Sequence, residues 1–133
     1  MSNHTGQFLE TWFHALENKD IDSIKDILAE DIVFHSPAVW SPKEGRDITL
    51  IILKTVESIF ENFTYTKHWV DGNEIILEFS AEVEGKSLKG IDRITLDENG
   101  KAIEFEVMIR PLNGLMLLAQ KMGERLGLST PPN

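Results

Sequence analysis

The stretch Glu74-Ile75-Ile76-Leu77-Glu78-Phe79-Ser80-Ala81-Glu82-Val83-Glu84-Gly85-Lys86-Ser87-Leu88-Lys89-Gly90-Ile91-Asp92-Arg93-Ile94-Thr95-Leu96 alternates apolar and polar residues on both sides of a Glu-Gly pair. A period of two marks strands with one buried face, and so short a turn makes them a hairpin. The pattern continues outward. Phe63 to Val70 precedes the hairpin across Asp71-Gly72-Asn73, and Lys101 to Arg110 follows it across Glu98-Asn99-Gly100. Four strands joined by short turns form an antiparallel meander. One face carries Ile75, Leu77, Phe79, Ala81 and Val83, then Leu88, Ile94 and Leu96, then Ile103, Phe105, Val107 and Ile109. On the other face Glu74, Glu78 and Glu82, Lys89 and Arg93, and Glu104 and Glu106 alternate in charge from strand to strand, which helps fix the register.

Ahead of the meander the period is helical. Phe8, Leu9, Trp12, Phe13 and Leu16 predict a first helix, and Asp20 caps a second that carries Ile21, Ile24, Ile27 and Leu28. Asp31 to Ser36 reads as a short strand, and the loop Pro37 to Gly45, with two prolines and a glycine, reads as irregular. A third helix spans Ile48 to Ile59, capped by Asp47 or a neighbour; a last one follows Pro111 and stops at Gly127. Helices first and strands afterwards make an α+β fold, a curved antiparallel sheet with helices packed into its concave side. Residues 1–128 are expected to form one domain, and residues 129–133 a flexible tail.

A net charge of −9 with no cluster of Lys and Arg removes the driving force for binding nucleic acid or an anionic membrane. The absence of cysteine removes disulfides, thiolate nucleophiles and Cys-ligated zinc together. His4, His14, His35 and His68 form no ligand-spaced pair, so neither a metal nor another cofactor is expected. The N-terminus lacks the basic and apolar segments of a signal peptide, and no run is long enough to span a membrane, so a cytoplasmic protein is the expectation.

Asp92 interrupts the apolar face of its strand, between Leu88 and Ile94. A carboxylate there is costly unless it is hydrogen-bonded, paired or protonated, which makes it the first candidate for chemistry. His35, at the end of the first strand, is the candidate base because imidazole titrates near neutral pH. Ser36 lacks the elbow motif of a serine hydrolase. Trp12, Trp40, Leu77, Phe79, Phe105, Val107 and Ile109 are candidates to line a pocket for a small apolar ligand, with Tyr65 and Trp69 sharing one face of the first meander strand. The competing reading is a non-catalytic ligand-binding or dimerisation module in which Asp92 and His35 only bond to each other.

The segments Trp12 to Asp22, Leu28 to Pro37 continuing to Gly45, and Gly90 to Ile103 resemble the NTF2-like superfamily, which includes SnoaL-like polyketide cyclases and ketosteroid isomerases. The resemblance covers most of the chain. It implies a cone-shaped α+β barrel whose mouth is closed by the first helices, paired through its sheet as a homodimer. Asp92 matches the isomerases' protonated aspartate, a worked example of a neutral carboxylic acid donating to an oxyanion. His35 or Ser36 falls near their general base, and Trp12 stands where they have a tyrosine; an indole donates a hydrogen bond but cannot exchange a proton as a phenol does. The fold's epoxide hydrolases are less similar, since Gly90 occupies the position of their arginine. The resemblance implies an acid/base isomerase, cyclase or hydratase for a small apolar carbonyl compound, with His35 as base and Asp92 as acid or oxyanion donor.

Overall fold

The structure, a computed structural model, describes residues 4–127. The expected tail, 129–133, lies outside the described residues. Helix α1 (His4–Glu17) is followed by a 3-10 stretch (Ile21–Ile27), strands β1 (Leu28–His35) and β2 (Lys43–Glu44), and helix α2 (Arg46–Ile59). Strands β3 (Glu61–Asp71), β4 (Glu74–Val83), β5 (Lys86–Leu96) and β6 (Ala102–Arg110) form the meander, and α3 (Leu112–Arg125) ends the fold. The six strands make one curved sheet in the order β2-β1-β6-β5-β4-β3. It stays open at β2 and β3, so the expected cone is a curved half-shell whose strands do not close on themselves.

Local chemistry accounts for several departures from the expected elements. The second helix is a 3-10 segment: the Asp20 side chain makes no cap bond, and Ile21 and Ile24, three residues apart, both turn into the core. Leu28 starts the strand and does not end a helix. Within the Pro37–Gly45 loop, Lys43 and Glu44 pair with Phe34 and Val33 as β2. Gly45 and not Asp47 caps α2, at a φ of 111° that disfavours any side chain. Strand β1 joins β6 in parallel, so the sheet is a meander with a crossover strand at its side.

Two register shifts move side chains. The shift between Tyr65 and Lys67 places Tyr65 opposite the inward Phe79 but Trp69 opposite Ile76 on the outer face, so these two aromatics do not share a face. The shift between β5 and β6 pairs Leu96 with Ala102, which is buried, and leaves Ile103 exposed.

The interior has two parts. Under α1, Phe8 and Trp12 close over Ile75, Leu77, Ile94, Leu96 and Phe105. Toward α3, Phe79, Ala81, Val83 and Leu88 pack with Ile59 and Leu118. Gly114 brings α3 close to the sheet, where an added Cβ would lie 3.3 Å from the Leu88 Cβ. Gly90 is tighter: a Cβ there would collide with the Met108 carbonyl and lie 2.7 Å from Phe79 Cζ. The missing side chain is what lets the Phe79 ring cross its neighbour strand.

Candidate functional site

Between the two parts lies an apolar cavity of about 350 Å³. Strand alternation delivers Phe79, Asp92, Val107 and Ile109 to its floor, α2 contributes Ile52, Leu53, Val56 and Glu57, and α3 contributes Leu115, Leu118 and Met122. One wall is aromatic. The Phe63 ring lies 5.6 Å from Phe60, 5.2 Å from Phe79 and 4.8 Å, edge-on, from Tyr65. A mostly apolar concavity with few polar groups is the usual form of a small-molecule site, and this one is at the small end of the range.

The polar groups at the floor form a chain. Trp12 Nε1–H donates to the Tyr65 hydroxyl oxygen at 2.8 Å, and that hydroxyl donates to Asp92 Oδ2 at 3.0 Å. Asp92 is 6% exposed, opposite Leu77 on one side and Val107 on the other. Burial raises its pKa from 3.8 to about 7, against the lowering effect of the Tyr65 hydrogen bond. Burial, and then the neighbouring Asp92 charge, push the Tyr65 phenol well above its ordinary range, so it stays a neutral donor. Among the described residues Asp92 Oδ1 accepts no hydrogen bond, while the carboxyl lines the cavity. A carboxyl with a proton equilibrium near neutrality thus faces an apolar space through one oxygen.

His35 and Asp92 do not meet. Phe34 and Ser36 turn into the cavity, so the residue between them turns out, where His35 Nε2 lies 3.3 Å from Glu104 Oε2. The ladder alternation of Ile32 and Phe34 against Val33 and His35 carried that signal. Among the other expected lining residues, Trp12, Phe79, Val107 and Ile109 do line the cavity. Leu77 and Phe105 instead lie in the sealed core under α1, and Trp40 is 91% exposed. Tyr65, which touches both Trp12 and Asp92, is the main residue that sequence reasoning did not place in the site's chemistry. Its signal was a phenol on an inward strand position, which needs a partner for its hydroxyl. No His, Asp and Glu side chains among the described residues gather into a metal-holding group, and no described helix is long and apolar enough to cross a membrane.

The model of the SnoaL-like domain family matches residues 9–105. A steroid delta-isomerase from Pseudomonas aeruginosa is 37% identical, with 96% of this chain and 94% of that one covered and a TM-score of 0.92. An uncharacterised bacterial protein with a cystatin-like fold from Silicibacter pomeroyi is 30% identical over 92% of this chain and 86% of that one, with a TM-score of 0.86. An NTF2-like protein of unknown function from Cytophaga hutchinsonii, 20% identical over 80% and 90% of the two chains with a TM-score of 0.66, shares the fold. No curated protein matches the chain.

Proposed function

The chain belongs to the SnoaL-like domain family, within the NTF2-like fold, and from that premise we propose a cytoplasmic enzyme that moves a proton next to the carbonyl of a small apolar compound. The observation that carries this reading is the Trp12–Tyr65–Asp92 chain ending in a carboxyl open to an apolar cavity. Its similarity to a protein described as a steroid delta-isomerase supports carbonyl chemistry.

In this reading Asp92 acts alone as acid and base, because His35 is engaged with Glu104 outside the cavity. Above about pH 7 its carboxylate takes a proton from the carbon next to the carbonyl, leaving an enolate. The carboxylic acid so formed, its proton open to exchange with solvent, protonates a different carbon, so atoms and charge balance across an isomerisation. Tyr65 steadies the ionised form by donating to Oδ2, and Trp12 holds the phenol in that orientation.

The test is hydrogen exchange in heavy water, followed by NMR over a panel of apolar ketones that includes ketosteroids. Asp92→Asn keeps the shape of the site, and a rate lower by about 10²–10⁴ is expected. Binding of ketones that survives Asp92→Asn, with no exchange in either protein, would mean a ligand-binding module without turnover.

Pairing through the sheet belongs to the same proposal. Trp69 and Met108, each 43% exposed, stand on the outer sheet face with Ile76 and Ile91, bordered by Arg93 with Glu74 and Lys89 with Glu78. A homodimer buries this apolar stripe. Sedimentation at micromolar concentration is expected to give a dimer, and Met108→Glu a monomer.

A further inference from the structure

We propose that the natural ligand carries an anionic group, held at the cavity mouth between Lys19 and Lys43 while its apolar carbonyl body lies inside; this rests on the carbonyl reading of the cavity. Four charged residues line the space: Asp92, Glu57, Lys19 and Lys43. Asp92 is buried at the closed end, whereas Lys19 is exposed and Lys43 and Glu57 are half-buried, which puts these three at the solvent edge.

Backbone structure fixes where both lysines leave the chain. Lys43 is the ladder partner of Phe34, and cross-strand partners share a face. Phe34 and Lys43 both line the cavity, as that shared face requires. Lys19 has a left-handed backbone, φ 54°, at the end of α1. Its N–H donates to the Leu16 carbonyl at 3.2 Å, and the next N–H, of Asp20, donates to the Ala15 carbonyl at 2.8 Å.

Like Lys25, Lys67, Lys86 and Lys101, neither lysine has a salt bridge among the described residues, but of these six only Lys19 and Lys43 line the cavity. In a chain of net charge −9, two cations without such partners line one apolar opening. Glu57 offsets one of them, and the edge keeps a net positive charge. A neutral ligand would leave that charge unanswered, whereas a carboxylate at one end of an apolar molecule matches it.

The probes are benzoylpropionate, a ketone acid, and its methyl ester, titrated by calorimetry at about pH 6 so that the probe acid is ionised and Asp92 largely neutral. The acid is expected to bind about fivefold tighter than the ester, as two partly exposed ion pairs would give. Raising salt to about 0.5 M shrinks that preference, and Lys19→Met with Lys43→Met brings the acid down to the ester. An ester that binds as well as the acid, or a preference that persists in the double variant, overturns the inference and leaves the carbonyl reading standing. If neither probe binds and no ketone undergoes exchange, both fall together.

Discussion

The two ends of the same sheet face do opposite things. Under α1 the inward side chains Ile75, Leu77, Ile94 and Leu96 pack against Phe8 and one side of Trp12, whereas further along the same three strands Phe79, Asp92, Val107 and Ile109 face α2 and α3 across a cavity of about 350 Å³. Asp92 sits in the row between them, with Leu77 of the sealed end beside it and Val107 shared by both. That position explains its chemistry. The packed end withdraws water from the carboxyl and raises its pKa, and the open end keeps one oxygen reachable.

The comparison breaks most visibly in the pH dependence of stability. Asp92 has a raised pKa in the folded protein, so between about pH 4 and pH 7 the unfolded chain loses this proton while the folded one keeps it. The stabilisation it confers is complete below about pH 4 and is lost as pH rises through about 7. The difference is on the order of 4 kcal/mol. Asp92→Asn is expected to remove that slope and to make the protein more stable than wild type above pH 7, as read by urea unfolding across pH. An unchanged slope would mean that Asp92 is not the buried titrating group.

Truncations at the two ends sharpen the contrast. Leu77→Ala, in a space with no slack, is expected to cost about 3 kcal/mol, and Val56→Ala, on the cavity wall, about 1 kcal/mol, because there the removed atoms already border a void. Equal losses would contradict the division of the core.

The smallest effect tests the polar chain itself. Tyr65→Phe removes the hydrogen bond that favours ionised Asp92, so its pKa is expected to rise above about 7. A carbon-13 titration of the variant measures it.

Much of this was legible in the chain. Period-two alternation revealed four strands, and the one carboxylate that broke an apolar face marked the site's central residue. The rest depended on single-residue events with no sequence signature. One extra residue near Thr66 sends Trp69 outward and leaves Tyr65 inside, and one shift near Ile103 turns a predicted core residue to solvent. The helices were legible as amphipathic segments, but how far α2 and α3 stand from the sheet depends on tertiary packing. That distance decides whether Phe79 lines a cavity and Leu77 a core.

The central claim is that burial between a sealed and an open end holds a proton on Asp92 near neutrality. Carbon-13 NMR of the Asp92 carboxyl in the wild-type protein tests it most directly: the account predicts a midpoint of about 7, whereas a midpoint near the ordinary 3.8 would contradict it.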